Sequence, residues 1–110
     1  MAETFKPGVI DNLVSAGAVA FKRFVKGDGS QCGAGAKAYG ISMDEVSSAG
    51  EPISIMVTGI ALVEAGATVT AGQEIESDAN GKGIPLDTGK SNGVAGNSCS
   101  AGQDIRVAIR

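Results

Sequence analysis

The chain has 110 residues, a formal net charge of −3 and no histidine. Its length suits a single domain, and its lysines and arginines are scattered, so no phosphate-neutralising stripe forms and no nucleic-acid partner is expected. The lack of histidine removes the commonest general base and the usual partner of a nucleophilic Ser or Cys, so the sequence predicts a non-enzyme without a cofactor.

Glycine is abundant and large aromatic residues are scarce. The chain has 17 Gly against three Phe, one Tyr and no Trp, so we expect many tight turns and a modest core. Contact with neighbouring subunits stabilises such a fold, and a homo-oligomer is expected. The longest apolar runs, such as Ile60 to Val63, are too short to cross a membrane, so no membrane partner is expected.

The N-terminus and the cysteines indicate where the protein is made. Met1 to Thr4 does not begin a signal peptide, which predicts synthesis in the cytosol. Cys32 and Cys99 lack zinc-ligand spacing, and no metal site is expected. In a cytosolic product two reduced side chains are the expected state, with a disulfide as the alternative.

Residues 1–17 differ in pattern from the rest of the chain. They contain Pro7, Gly8 and Gly17 among scattered apolar residues that keep no sustained period. This pattern predicts an N-terminal arm over residues 1–17, followed by a single domain over residues 18–110.

The domain begins with an alternating segment. Val19 to Val25 has a two-residue period that predicts a strand, and Gly27 to Ser30 ends it as a turn. Six further strands are predicted at Ala36 to Met43, Ile53 to Val63, Glu74 to Ser77, Gly83 to Leu86, Gly93 to Ala95 and Asp104 to Arg110. Short strands separated by turn signals are typical of an all-β domain.

Two segments remain outside this series of strands. Met43 to Ser48 allows one helical turn before Gly50. Gly89 to Ser100 is rich in Ser, Asn and Gly around its short predicted strand, which favours a long exposed loop. Helix content is therefore expected to be low.

One turn pattern occurs three times. It consists of a small hydroxyl residue, Ala, Gly and a polar residue, and a strand follows within two residues. A glycine at the third position accepts a backbone conformation that other residues adopt only with strain. The three copies are Ser48-Ala49-Gly50-Glu51, Thr70-Ala71-Gly72-Gln73 and Ser100-Ala101-Gly102-Gln103.

The acidic and hairpin motifs suggest little chemistry. Glu74 and Glu76 share one face of a predicted strand, where a solvated face is a better interpretation than a carboxylate dyad. Asn80-Gly81 predicts a type I′ or bulged hairpin turn. Residues 64–78 resemble the approach to the modified lysine of lipoyl and biotinyl carrier domains, but Ala79 stands at the lysine position and Lys82 follows three residues later.

The order of several motifs resembles the capsid cement, or decoration, family of tailed phages. The motifs span Phe21 to Ile109 and are individually weak, so their order carries the resemblance. They are Ala38-Tyr39-Gly40-Ile41, the strand segment Ala49 to Ala61, Thr70 to Ile75, the hairpin Asp78-Ala79-Asn80-Gly81-Lys82, and the closing turn and strand Ser100 to Ile109.

The resemblance implies a small β-barrel or β-tulip fold and a structural role in the virion. It implies a homotrimer that is made in the host cytoplasm, binds the major capsid protein lattice on the outer surface of the head and stabilises it. Two alternatives stay open at this point: another phage structural subunit, such as a tail or fibre component, and a degenerate carrier domain.

The N-terminal arm is the candidate capsid-binding segment. A strand-like piece of residues 3–14 would add to an exposed sheet edge on the capsid, and a disordered or self-packed N-terminus is the alternative. The candidate contact residues are Phe5, Pro7, Val9, Ile10 and Leu13.

Overall fold

The computed structural model describes residues 6–109, with side chains described from Val9 onward. This part of the chain contains strands and turns and no helix, so the predicted all-β fold is confirmed. The strands are β1 (Lys6–Val14), β2 (Phe24–Val25), β3 (Gly40–Ser42), β4 (Pro52–Glu64), β5 (Glu74–Ser77), β6 (Gly83–Pro85), β7 (Gly93–Ala95) and β8 (Asp104–Ile109).

The strands form one antiparallel sheet that nearly closes into a small barrel. Seven of them follow the order β2-β3-β4-β8-β7-β5-β6, and β1 pairs with β4 beside this path. The two ends of the path approach each other, because the Phe24 N–H donates to the Gly81 carbonyl oxygen at 2.8 Å. This bond joins β2 to the turn between β5 and β6.

The long strand β4 separates two apolar clusters. Met56 belongs to the barrel core, together with Phe24 and side chains from β3, β5 and β8. Ile53 and Ile55 point to the opposite face and pack in a second cluster with Val19, Val25 and Val46. The first half of β4 therefore contributes side chains to both apolar clusters, one from each of its faces.

The recurrent turn found in the sequence is confirmed. Its glycines Gly50, Gly72 and Gly102 have φ values of 88°, 91° and 88°. In each copy the side chain of the fourth residue accepts a hydrogen bond from the backbone N–H of the first residue. These bonds are Ser48 N–H to Glu51 Oε2 at 3.1 Å, Thr70 N–H to Gln73 Oε1 at 2.8 Å and Ser100 N–H to Gln103 Oε1 at 2.8 Å.

A fourth turn of the same kind replaces most of the strand predicted at Val19 to Val25. Only Phe24 and Val25 are in a strand, and Lys22 has a φ of 61°, the left-handed conformation that glycine adopts in the other copies. The Lys22 N–H donates to the Ser42 carbonyl oxygen, as the Gly72 N–H donates to that of Ala95. Hydrogen bonds to a distant segment thus override the local alternation, and the strand prediction is wrong over residues 20–23.

The four turns reveal an internal duplication. Val19 and Val46 exchange two backbone hydrogen bonds of 3.0 Å, and Val69 and Cys99 exchange two of 2.9 Å. The strands repeat in the same way, because β1 pairs with the start of β4 as the end of β4 pairs with β8. The described chain is therefore built from two related units that share β4.

Two local predictions are corrected by this arrangement. Residues 43–48 form no helical turn, since Val46 bridges to Val19. Residues 89–100 are not a long exposed loop, because β7 lies in the sheet and Asn92 is buried. The Asn92 side chain accepts a hydrogen bond from the Ala38 N–H and donates one to the Ala36 carbonyl oxygen.

Candidate interaction surface

The outer edge of β1 is a free strand edge in the described part of the chain. The Ser15 N–H donates to the Glu51 carbonyl oxygen at 2.8 Å, which fixes the hydrogen-bonding pattern of the β1–β4 ladder. Backbone groups alternate along an antiparallel strand, so those of Asp11 and Leu13 face β4. The backbone groups of Ile10, Asn12 and Val14 face away from β4, toward an edge with which no described strand pairs.

Apolar side chains are concentrated along this edge strand. Val9, Ile10 and Val14 are 53%, 46% and 65% exposed, and they are three of the six exposed large hydrophobic residues in the described part of the chain. An exposed apolar edge strand is a template for pairing with another chain. We call the outer edge and these side chains the β1 edge.

A carboxylate lies on the β1 edge and binds a backbone group of the strand itself. The Asn12 N–H donates to Asp11 Oδ1 at 2.8 Å, and the Tyr39 hydroxyl donates to Asp11 Oδ2 at 2.6 Å. The hydrogen bond to Asp11 raises the pKa of Tyr39, with smaller contributions from burial and from the negative charge of Asp11. Asp11 therefore occupies the hydrogen-bonding group of Asn12 that faces outward.

The C-terminal end of the β1 edge is covered by the chain itself. The Ala16 N–H donates to the Gly29 carbonyl oxygen at 3.0 Å, and a Cβ atom at Gly29 would overlap the Val14 carbonyl oxygen. The turn that contains Gly29 therefore packs against Val14. The open part of the β1 edge runs from Val9 to Asn12.

The candidate capsid-binding residues occupy different environments. Val9 and Ile10 are exposed on the β1 edge, whereas Leu13 is half-buried and packs against the second apolar cluster. The backbone of Pro7 pairs with Gly59, and Phe5 lies outside the described residues. Residues 6–14, predicted as part of an arm, add to the sheet of their own chain through β4 and leave the opposite edge open.

Sequence reasoning did not single out Val14 or Asp11. The exposure of Val14 follows from the β1–β4 register, which also directs Leu13 toward the second cluster. Irregular pairing between Pro7 and Ile10 interrupts that register, so the direction of each side chain cannot be extrapolated from the sequence. A polar Asp11-Asn12 pair within an apolar segment was the available signal.

The hairpin that resembles a carrier domain has a bulged turn at its tip. The Gly81 N–H donates to the Asp78 carbonyl oxygen, and Gly81 has a φ of 75°. This geometry corresponds to the bulged form of the predicted turn. Lys82 lies beyond the tip, and its ammonium group is 3.3 Å from Glu64 Oε2.

A cluster of charges joins the two units at the end of β4. Glu64 contacts Arg23 at 3.0 Å and Lys82 at 3.3 Å, while its cross-strand partner Asp104 contacts Lys22 at 2.8 Å. Burial alone raises the pKa of Glu64, but Arg23 and Lys82 together outweigh it, so the pKa lies below the ordinary value of 4.5.

This lowered pKa predicts a loss of stability in acid. Because the folded state holds Glu64 ionised, its contribution is present above the unfolded value of 4.5 and is lost as the pH falls through the folded pKa. Glu64→Gln should destabilise the protein at neutral pH by about 0.5–1 kcal/mol, since the pair is partly exposed, and should flatten the acid dependence. Urea unfolding across this pH range measures both effects.

Glu74→Gln is the matched control, because Glu74 is an exposed carboxylate at the start of β5 and takes no part in these ion pairs. It should leave the acid dependence unchanged. An unaltered acid profile in Glu64→Gln would contradict the assignment.

The Glu74 and Glu76 side chains do not share a solvated face. Glu74 is exposed, whereas Glu76 is buried and accepts a hydrogen bond from the Gly89 N–H at 2.6 Å. The interpretation of a solvated face is therefore wrong for Glu76. The two carboxylates occupy different environments, and Glu76 holds the segment that leads into β7.

The two cysteines are thiols in this structure. Cys32 is buried in the barrel core, and Cys99 is partly buried against it. Burial raises the pKa of Cys32 to about 11, although Lys26 partly offsets the effect. The Cys32 thiol is therefore poorly suited to nucleophilic chemistry.

The remaining surface has few features of a ligand site. A shallow polar depression of about 290 Å³ is lined by Asn97, Ser98, Cys99, Gln103 and Asp104. No group of three or more acidic, His or Cys residues within residues 6–109 is arranged to hold a metal ion. None of the described segments is a helix long and apolar enough to cross a membrane.

Comparison with known proteins agrees with the fold. The head fiber gp8.5 N base of bacteriophage phi29 superposes with a TM-score of 0.75 over 93% of each chain, at 16% sequence identity. No curated protein matches the sequence. The family model described as phage cement protein matches residues 6–110, nearly the whole chain. The chain therefore belongs to the phage cement protein family and is a phage structural protein.

Proposed function

We propose that this protein is a capsid decoration subunit that binds the outer surface of the assembled phage head and stabilises it. The observation that supports this function is the β1 edge, where Val9 and Ile10 are exposed beside outward-facing backbone groups. A surface of this kind suits an extended segment of the major capsid protein, which would pair with the strand and cover its apolar side chains.

Binding to the lattice explains how a small subunit strengthens a shell. A decoration protein that binds only the assembled lattice adds its binding free energy to the stability of that state. In a homotrimer three copies of the β1 edge raise one another's effective concentration, so each contact can be weak. The role requires neither nucleic acid nor a membrane, and the protein would be made in the host cytoplasm.

Co-sedimentation with capsid shells tests the proposal. Purified protein is mixed with undecorated expanded shells and with unexpanded shells, and light scattering measures the mass of the free protein. We expect saturable binding of a trimer to expanded shells. The double variant Val9→Asp/Ile10→Asp should bind at least about tenfold more weakly, since burying a charge in an apolar contact costs more than 1.4 kcal/mol.

Leu86→Asp provides the matched control. Leu86 is 36% exposed and follows β6, a strand that pairs with neither β1 nor β4, so its substitution should leave shell binding unchanged. Absence of binding to either shell would disprove the decoration role. Equal loss of binding in both variants would disprove the assignment of the contact to the β1 edge.

The structural neighbour favours a second candidate, the base of a head fibre. The matching structure is described as the N base of a head fiber, and its fold is shared over 93% of each chain. A fibre base would also bind the head, but it would have to carry a further fibrous segment. Cryo-electron microscopy of shells with bound protein distinguishes the two, because a decoration subunit repeats over the lattice and a fibre base presents a protruding attachment.

A further inference from the structure

The β1 edge has the features of a strand that pairs with copies of itself. Its outward-facing groups include those of Ile10 and Asn12, and its exposed side chains are apolar. Two copies of β1 in antiparallel register would exchange hydrogen bonds between Ile10 of one copy and Asn12 of the other. The self-pairing arrangement would use the open part of the β1 edge and would place Asp11 opposite Asp11 at its centre.

We propose that Asp11 prevents this self-pairing and keeps the β1 edge open in the free protein. Its Oδ1 atom binds the Asn12 N–H at 2.8 Å, the same group that a second strand would need. Its charge would also face an identical charge in the second copy, and like charges directly opposite each other destabilise a strand pair. Asp11 therefore acts by occupying a donor and by repelling its own copy.

Tyr39 positions this carboxylate. Its hydroxyl donates to Oδ2 at 2.6 Å, from the segment that precedes β3. Because Tyr39 binds the other oxygen of the carboxylate, Oδ1 is left to accept the hydrogen bond from the Asn12 N–H. The role of Asp11 belongs to the free protein and holds whether or not the β1 edge binds a shell.

Sedimentation velocity over a wide range of protein concentration tests the proposal. Asp11→Ala should begin to associate beyond the wild-type species at a concentration at least about tenfold lower than the wild type. Asp87→Ala removes the same charge from an exposed position outside the strands and should behave as the wild type. Asp11→Asn keeps an oxygen acceptor but loses the charge, and it should fall between the two.

A second substitution tests whether the association uses the edge. Proline has no N–H, so Asp11→Ala/Asn12→Pro removes the donor that self-pairing needs without removing a backbone hydrogen bond to β4, and it should restore the wild-type sedimentation. Both this variant and its alanine counterpart lose the hydrogen bond from the Ser54 hydroxyl to the Asn12 side chain, so that loss is matched. Asp11→Ala/Asn12→Ala keeps the donor and should still associate. Unchanged sedimentation of Asp11→Ala, or association that persists in the proline variant, would overturn the proposal.

Discussion

Gly40→Ala should destabilise the protein by about 3 kcal/mol, one of the largest effects of any single methyl group in this fold. Gly40 is buried at the start of β3, where β4 passes directly beside it. A Cβ atom there would overlap the Met56 carbonyl oxygen and would lie 2.6 Å from Ile55 Cγ2. The carbonyl cannot move aside without disturbing the β3–β4 ladder, so the strands must separate. Equilibrium unfolding in urea measures the loss.

The internal duplication supplies a repeat of this test. Gly93 begins β7 as Gly40 begins β3, and a Cβ atom at Gly93 would overlap the Ala108 carbonyl oxygen in β8. Gly93→Ala should therefore be destabilised to a similar extent. Gly17→Ala is the control, because no atom lies within 4 Å of its added Cβ, and its stability should change by less than about 0.5 kcal/mol. Equal stability of Gly40→Ala and Gly17→Ala would refute the close contact between Gly40 and the backbone of β4.

The regular parts of the sheet could be predicted from the sequence. The bounds of β5 and β7 match their predicted segments, and β8 ends at Ile109 in the described chain. These strands lie between turns with a glycine or a hydroxyl residue, and one face of β8 is apolar. Local signals and tertiary packing agree there, so the pattern was sufficient.

The turn at Lys22 could not be predicted in this way. Its sequence alternates as a strand does, and both Val19 and Val25 are buried as the alternation suggests. They reach the same cluster from the two sides of a turn, because the Ser42 carbonyl oxygen, twenty residues along the chain, accepts a hydrogen bond from the Lys22 N–H. A lysine in a left-handed conformation is rare enough that a single sequence gives no warning of it.

The candidate surface was predictable only in its composition. The apolar residues of the N-terminal segment indicated a contact region, and Val9 and Ile10 are indeed exposed. The edge itself depends on the pairing of β1 with β4, which lies some forty residues away in the chain. The interaction of Asp11 with Asn12 matters only because that pairing turns the Asn12 N–H outward. The pairing of β1 with β4, and with it the direction of the Asn12 N–H, cannot be read from the local sequence.

Phe24→Ala should be the most damaging truncation in the core, with a loss of about 3–5 kcal/mol. Phe24 is 1% exposed and is the one aromatic side chain among the described core residues. Its neighbours in the barrel core are mostly Ile, Val and Ala, which leave few ways to fill the resulting cavity. A domain of this size has a total stability of about 5–15 kcal/mol, so the variant should lie near its unfolding threshold.

Phe24 also lies where the two ends of the sheet meet. Its N–H donates to Gly81 and its carbonyl oxygen accepts from the Cys32 N–H at 2.9 Å, so the same residue fills the core and joins the ends of the sheet. Phe21→Ala is the matched control. Phe21 is 39% exposed with Lys22 above its ring, and its removal should cost about 1 kcal/mol or less. Similar unfolding midpoints for the two variants would show that the barrel core does not depend on Phe24, whereas a wide separation would show that the buried ring of Phe24 is a main source of the stability of the fold.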